Sequence, residues 1–280
     1  MSDDEQWGTG LGLGRAVVLV ALMLVGCSSR LLPATGSVTQ GIALRLYVTT
    51  PMLPLGNHLT QAYQRVNPSV IFETVGGNFT TSRERLASDP TSYMLTNHLP
   101  DERLWAAPLG QDGIAVIVNA NMPITALTMH DLREVYRGRV ADWSELGGRA
   151  AAITVVTRES GSGTRAEFER LVMGNREVTP AAQIASSSAV MVEIVARTPG
   201  AVGYVSMSYL DSSVRALVID GIMPSLENVA NNTYPLRSII YIAGYHEPEL
   251  HYRNFIYWAQ TLEGQMVVAR RYAPLINLQP

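Results

Sequence analysis

The feature that most constrains the fold is an apolar run, Gly113 to Asn119 (GIAVIVN), in which polar and apolar residues do not alternate. Such a run is typical of a β-strand that is buried on both faces, as in a parallel sheet covered by helices. Shorter β-rich runs lie before and after it in the sequence, and segments with helical spacing of apolar residues separate them. This alternation of strands and helices predicts an α/β fold with mostly parallel sheets.

The same patterns give approximate bounds for the remaining elements. The further predicted strands are Ala43 to Thr49, Val70 to Val75, Ile153 to Thr157, Ala201 to Val205 and Ala216 to Ile219. The predicted helices are Leu55 to Val66, Leu127 to Tyr136, Ala166 to Met173 and one long closing helix, Arg253 to Arg271.

The composition indicates a globular protein and argues against several functions. Hydrophobic residues make up 47% of the 280 residues and charged residues 16%, which is enough apolar material for a real core. The net charge of -3 argues against a nucleic-acid partner, because such partners usually require a basic surface. The sequence contains no lysine, so all 21 basic residues are arginines. An anion site in this chain must therefore use arginine, hydroxyls and backbone N–H groups.

The N-terminal segment predicts export. Ala16 to Val25 is an apolar run of signal-peptide length, too short to span a membrane, and the single cysteine, Cys27, follows it after Gly26. Small residues before this cysteine resemble a bacterial lipoprotein signal, which implies that residues 1–27 form a signal ending at a lipidated Cys27. An ordinary signal, or an anchor helix with an incidental cysteine, is the alternative. Residues 28–41 are small and polar and predict a flexible tether.

The loop Arg158 to Thr164 (RESGSGT) carries the clearest chemical signal. It follows a predicted strand and opens a predicted helix, and Thr164 with Glu167 matches a capping box, so we expect the helix to start there. A helix N-terminus offers unpaired N–H groups to an anion. Arg158 and the hydroxyl of Ser162 would add a planar cation and a donor. Alternatively, the turn only caps a helix. It lacks the lysine of a P-loop and does not match the pattern of a nucleophile elbow.

This loop resembles the phosphate-binding loop of the periplasmic phosphate-binding proteins that serve ABC transporters. Segments with the same order and spacing as in that family support the resemblance, which covers about Leu44 to Leu275. They are Leu127 to Gly148, Val190 to Tyr209, Tyr234 to Arg237 and Phe255 to Gln265.

The resemblance implies a two-lobed type II periplasmic-binding-protein fold, with a mostly parallel sheet and flanking helices in each lobe. The ligand cleft would lie between lobe 1, residues 42–117 and 208–280, and lobe 2, residues 118–207. The implied function is capture of phosphate or a related oxyanion for an ABC transporter permease. The protein would be extracytoplasmic, lipid-anchored and monomeric, without a cofactor, a metal or catalytic residues.

The resemblance also implies the ligand-binding residues. The expected oxyanion ligands are Thr50, Thr80, Thr81, Asn97, Arg158, Ser162, Gly163 and Thr164. Two positions depart from the family pattern. Pro51 stands where the family offers a backbone N–H, which proline lacks. Asn97 stands where the family often has an aspartate that accepts a proton from hydrogen phosphate and repels sulfate. An amide carries no such charge, so we expect micromolar or weaker binding with relaxed selectivity.

Two other classes of function remain as alternatives. An enzyme is disfavoured, because none of the five histidines has metal-ligand spacing and none is marked as a base for Ser160 or Ser162. A sensor or interaction module that keeps the fold but has lost the ligand is favoured by Pro51 and Asn97. A binder of a different oxyanion, such as sulfate, is also open. The test is whether any oxyanion raises the melting temperature.

Overall fold

The structure, a computed structural model, describes residues 41–99 and 103–276, and all of these lie in one unit, Thr39–Pro280. The predicted signal, Cys27 and residues 28–40 of the predicted tether lie outside the described residues. Within the described part of the chain, no helix is long and apolar enough to cross a bilayer.

Strands and helices alternate along the chain as predicted. The strands are β1 (Ile42–Thr49), β2 (Val70–Gly77), β3 (Tyr93–Thr96), β4 (Trp105–Asn119), β5 (Ala126–Leu127), β6 (Thr154–Arg158), β7 (Gln183–Ala185), β8 (Ala201–Ser206), β9 (Val214–Ala216), β10 (Val218–Ile219) and β11 (Arg237–Gly244). The helices are α1 (Leu53–Val66), α2 (Phe79–Ser88), α3 (Met129–Tyr136), α4 (Gly163–Phe168), α5 (Ser188–Arg197), α6 (Leu226–Ala230), α7 (Leu250–Gln260) and α8 (Leu262–Val268).

The sheet has parallel outer pairs and an antiparallel centre. Its strand order is β2-β1-β3-β11-β4-β8-β6-β7, and β9 also pairs with β4. Strand β1 is parallel to both of its neighbours, β2 and β3. Strand β6 is likewise parallel to β7 and β8. In the centre, β11 is antiparallel to β3 and to β4, and β4 is antiparallel to β8. We call the strands on the β11 side of β4 the first half of the sheet, and those on the β8 side the second half.

Strand β4 belongs to both halves. Its first part, Trp105 to Gly113, pairs with β11, and its second part, Ile114 to Val118, pairs with β8. The apolar run noted in the sequence is therefore the second part of a longer strand, and it is buried from Ile114 to Val118. In the first part of the strand, exposed residues such as Pro108 are mixed with buried ones such as Leu109, so it gives no comparable apolar run.

Each half of the sheet has its own hydrophobic core. In the first half, α1, α7 and α8 pack on β1, β3 and β11 through a cluster that includes Leu55, Leu59 and Phe255. In the second half, α3 and α4 contribute Tyr136 and Phe168 to a cluster that also contains Trp143 and Tyr204. The ring of Phe168 stacks on that of Tyr204 at 4.0 Å between centroids.

The prediction of one long closing helix from Arg253 to Arg271 is wrong. The structure has two helices there, α7 and α8. The backbone is extended at Thr261, where α7 ends and α8 begins. Gly264 then packs against the end of α7, because a Cβ placed on it would overlap the carbonyl oxygen of Trp258. Periodicity alone missed this break because the apolar residues continue through it.

Candidate functional site

Arg158, the last residue of β6, holds a buried guanidinium group. The residue is 1% exposed. Its Nε and Nη2 donate to the two carboxylate oxygens of Glu159 at 2.9 and 3.0 Å, and Nε also donates to the carbonyl oxygen of Ala185 at 3.2 Å. The neighbouring carboxylate therefore fixes the plane of the guanidinium group and balances its charge.

The outer edge of the same group is in contact with two hydroxyls. Nη2 of Arg158 donates to Oγ1 of Thr50 at 3.2 Å, and Nη1 donates to Oγ of Ser188 at 3.3 Å. Because both hydroxyls accept these bonds, each retains its own hydrogen for another acceptor. Thr50 was expected from the sequence. Ser188, which is 1% exposed, was not, although the run Ser186 to Ser188 before a helix is a signal for it.

The loop after Arg158 opens a helix, but two residues earlier than the sequence predicted. Ser162 is the N-cap of α4, and its Oγ accepts from the backbone N–H of Arg165 at 3.3 Å. The expected capping box of Thr164 and Glu167 is therefore wrong, since Thr164 lies inside the first turn. Because α4 begins at Gly163, the N–H groups of Gly163 and Thr164 have no acceptor within the helix.

Four segments meet at this loop, and we call their meeting point the candidate site. Thr50, after β1, contacts Arg158. The first turn of α2 donates from the N–H of Thr80 to the carbonyl oxygen of Gly161 at 3.2 Å. Gly163 lies against the end of β3, because a Cβ placed on it would be 3.5 Å from Oδ1 of Asn97. Residues from the first and second halves of the sheet are thus in direct contact at this point.

Three side chains in these segments are buried without a hydrogen bond. Among the described residues, Oγ of Ser82, Oγ1 of Thr164 and both amide atoms of Asn97 have no partner. Each of the three residues is at most 1% exposed. An unpaired buried polar group costs about 1–3 kcal/mol, so native structures keep few of them and several in one place indicate a ligand.

The second predicted ligand loop is arranged differently from the expectation. Asn78 caps α2 through its Oδ1, which accepts from the N–H of Thr81 at 2.9 Å. Thr80 is exposed and Thr81 is half-buried, whereas Ser82 in the next position is fully buried. The sequence does not indicate which of these hydroxyls is buried, because a shift of the helix start by one residue changes which hydroxyl turns inward.

Pro51 follows Thr50 in a short 3-10 turn, Thr50 to Met52. At that position its missing N–H would have no intrahelical acceptor, so the turn loses no bond. The backbone is held instead through its carbonyl groups. Tyr209 donates its hydroxyl to the Thr50 oxygen at 2.6 Å, and Tyr272 donates to the Pro51 oxygen at 3.0 Å.

A further buried carboxyl lies near the point where β4 changes partner. Asp112 is 1% exposed, and neither of its carboxyl oxygens has a hydrogen bond of normal geometry among the described residues. Burial raises its pKa to about 7, although the Ser206 hydroxyl and the N–H groups of Gly113 and Met207 act in the opposite direction. In the described residues, no three acidic, histidine or cysteine side chains form a group that could hold a metal ion.

A protein-family sequence model, described as a PBP superfamily domain, matches residues 34–262 of this chain. The chain belongs to the PBP superfamily. Among curated members of similar sequence, the phosphate-binding protein PstS of Bacillus subtilis is 40% identical over 126 residues, which are 44% of this chain and 41% of that protein. PstS 2 of Streptococcus agalactiae serotype V is 32% identical over 136 residues, 45% of this chain and 46% of that protein. The chain thus matches less than half the length of these two relatives.

Solved structures of the PBP superfamily match a larger part of the chain. One is described as a phosphate ABC transporter substrate-binding protein of Clostridium perfringens with bound phosphate. It is 27% identical with a TM-score of 0.78, over 84% of this chain and 100% of that one. An ABC-type phosphate transport receptor of Vibrio cholerae is 26% identical with a TM-score of 0.69, over the same shares. These neighbours confirm the predicted two-lobed α/β fold of type II periplasmic binding proteins.

Proposed function

We propose that this chain is an extracytoplasmic solute-binding protein that captures phosphate, or a related oxyanion, and delivers it to an ABC transporter. One observation carries the proposal. The buried guanidinium of Arg158 lies where four segments meet, and buried polar atoms of Ser82, Asn97 and Thr164 in those segments have no partner among the described residues. The curated relatives and solved neighbours, named for phosphate binding and transport, support it.

The groups at the candidate site suit a compact oxyanion. Arg158 supplies a cation, and the hydroxyls of Thr50, Ser82 and Thr164 supply donors. The backbone N–H groups of Gly163 and Thr164 add two more at the start of α4. Ser162 would act mainly through the helix cap, and Asn97 would donate through its amide nitrogen. We do not propose Thr80 as a ligand, because it is exposed.

The affinity of such a site for an oxyanion follows from the number of hydrogen bonds it can donate. A hydrogen bond to a charged group contributes about 1.5–3 kcal/mol net, and micromolar affinity requires about 8 kcal/mol. Arg158 with three or four of these donors reaches that level without an N–H from position 51. We therefore propose micromolar binding. Because Asn97 carries no charge that would repel a fully ionised anion, we propose weak discrimination between phosphate and sulfate.

The lobe boundaries, the oligomeric state and the membrane attachment of the protein belong to the same proposal. We propose that residues 42–117 and 208–280 form lobe 1 and residues 118–207 lobe 2. Strand β4 changes partner at Gly113 to Ile114, before the proposed boundary, and β9, which lies within 208–280, pairs with the second part of β4. We also propose a monomer attached to the membrane through lipid on Cys27. In this proposal the protein binds its ligand without chemical change and is not an enzyme.

Isothermal titration tests the proposal directly. The chain from Ser28 onward contains the whole unit Thr39–Pro280 and its core clusters, and it is titrated with phosphate and with sulfate. The test variant is Arg158→Ala. Arg197→Ala is the matched control, because that side chain is 78% exposed in a pair with Glu193 on α5. We expect both anions to bind the parent and the control, and neither to bind the test variant.

The other outcomes separate the alternatives. Tight phosphate binding without sulfate competition would contradict relaxed selectivity but support the site. Binding that persists in Arg158→Ala would place the ligand elsewhere. If neither anion binds or raises the melting temperature of the parent, capture is wrong, and an interaction module on the same fold becomes the better explanation.

A further inference from the structure

A hydrogen bond between two side chains joins the two halves of the sheet beside the candidate site. Nδ1 of His98 lies 2.7 Å from Oε1 of Glu167. His98 directly follows Asn97 at the end of β3, in the first half of the sheet. Glu167 lies one helical turn after Gly163 and Thr164 in α4, which packs on the second half. Each partner is thus attached to a segment that carries proposed anion ligands.

Glu167 is a buried charge that requires its partners. The residue is 7% exposed, and its other oxygen accepts from Nε and Nη2 of Arg170 at 3.1 and 2.6 Å. Burial would raise the pKa of this carboxyl, but hydrogen bonds from His98 and Arg170 outweigh burial and hold the pKa below its ordinary value. The carboxylate is therefore ionised, and loss of one partner leaves part of a buried charge uncompensated.

The position of His98 depends on the contact between the halves. Its ring packs edge-on against Phe79 of α2, with 4.8 Å between ring centroids and 75° between planes. On the other side, a Cβ placed on Gly163 would be only 3.1 Å from Cβ of His98. The imidazole is therefore enclosed between α2 and α4. If the halves separate, His98 moves with β3, and Glu167 stays with Arg170, which lies three residues further along the chain.

We propose that His98 and Glu167 form a latch between the two lobes, present only in the closed state, which positions the loops of the proposed oxyanion site. The latch rests on the proposed function, because its purpose is to hold the lobes around the bound anion. An interaction made only in the closed state raises ligand affinity by favouring that state. It acts mainly on the dissociation rate, since the anion enters the open form before the latch exists.

A double-mutant cycle tests the latch. The variants are His98→Ala, Glu167→Gln and both together, and Glu193→Gln, which alters an exposed pair on α5, is the control. We expect each single variant to raise the phosphate Kd and the dissociation rate about 10- to 100-fold, and the double variant to lose no more than either one. His98→Asn keeps an amide donor near the Nδ1 position, so it should restore part of the affinity lost in His98→Ala.

Melting temperatures separate a latch from a purely structural pair. We expect the variants to melt like the parent without anion, and to lose part of the increase that saturating phosphate gives. The proposal is overturned by an unchanged Kd, by losses that simply add in the double variant, or by melting temperatures that fall equally with and without phosphate. The last result would mean that the pair exists in the open form as well.

A variant that combines His98→Cys with Gly163→Cys reports the contact between the halves without an affinity measurement. The Cβ atoms of the two cysteines would be 3.1 Å apart, close to the range of about 3.5–4.5 Å in disulfides. The chain from Ser28 has no other cysteine, because the only one in the sequence is Cys27. We expect phosphate to accelerate the cross-link. If the parent binds no anion, the proposed function fails. The latch fails separately if the cross-link does not form, or forms at the same rate with and without phosphate.

Discussion

Nη2 of Arg158 donates a hydrogen bond to Oγ1 of Thr50 at 3.2 Å, although 108 residues separate them in the chain. Thr50 follows the first strand of the first half of the sheet, and Arg158 ends a strand of the second half. The bond therefore crosses between the halves at the candidate site. It also orients the threonine, since a hydroxyl that accepts from arginine points its own hydrogen elsewhere.

This contact gives the first prediction, for Thr50→Val. Valine has nearly the shape of threonine but can neither accept from Arg158 nor donate to an anion. We expect the phosphate Kd to rise about tenfold, which corresponds to about 1.4 kcal/mol for one lost bond to a charged ligand. Titration calorimetry measures the change. Thr91→Val, at an exposed threonine outside the site, should leave the Kd as it is. Equal affinity in Thr50→Val would remove Thr50 from the site.

The second prediction distinguishes Ser82 from Thr80. Oγ of Ser82 is buried and unpaired among the described residues, so Ser82→Ala removes no bond from the anion-free protein. We expect it to weaken phosphate binding about tenfold while the melting temperature without anion stays the same or rises. Thr80→Val should change neither quantity, because its side chain is exposed. The reverse result would show that the threonine turns inward when the ligand is bound.

The third prediction concerns selectivity and uses Asn97→Asp. A buried carboxylate can accept the proton of hydrogen phosphate, but it repels sulfate, which has no proton to share. We expect the variant to bind phosphate and to lose competition by sulfate, whereas the parent accepts both. Competition titrations measure the difference. Asn254→Asp, an exposed position on α7, adds the same charge away from the site and should behave like the parent. Continued sulfate binding by Asn97→Asp would mean that position 97 does not face the ligand.

The fourth prediction follows from Asp112, whose pKa in the folded protein is raised to about 7, well above its ordinary value, because burial disfavours the charged form. The folded protein then holds a proton that the unfolded chain releases, so this group favours folding below about pH 4 and the benefit is lost as the pH rises through 7. Asp112→Asn should therefore stabilise the protein at pH 8, by at most about 4 kcal/mol. At pH 4 the effect should be small.

Urea unfolding of parent and variant at the two pH values checks this prediction. Asp211→Asn is a suitable control, because that carboxyl is exposed and its pKa is lowered by hydrogen bonds from Ser213. Replacing Asp211 should destabilise the protein at pH 8. If Asp112→Asn destabilises it there as well, the carboxylate is held by bonds that outweigh its burial.

Much of the fold could be predicted because its signals are local. The spacing of apolar residues placed the starts of both α1 and α3 within two residues of those observed, from the predicted helices Leu55 to Val66 and Leu127 to Tyr136. Errors arose where packing overrides local pattern. The break between α7 and α8 depends on Gly264 approaching the backbone of Trp258, which is a contact and not a periodicity.

Only part of the candidate site could be predicted from the sequence. The loop from Arg158 to Thr164 has a local signature, and the structure brings it together with Thr50 and Asn97. Ser188 has a weak local signal in the serine run before α5, but Ser82 and His98 could not be found in the same way. Whether each turns inward depends on helix phase or on contacts between segments far apart in sequence, which no local pattern records.

The sharing of β4 between both halves has a consequence for how the protein unfolds. Its first part is bonded to β11 and its second part to β8 and β9, so neither half can lose this strand without exposing a row of amides in the other. We therefore expect the amides from Gly113 to Val118 to exchange with solvent only through global opening. Chemical denaturation should proceed in a single transition, with the two cores melting as one cooperative block and not as independent modules.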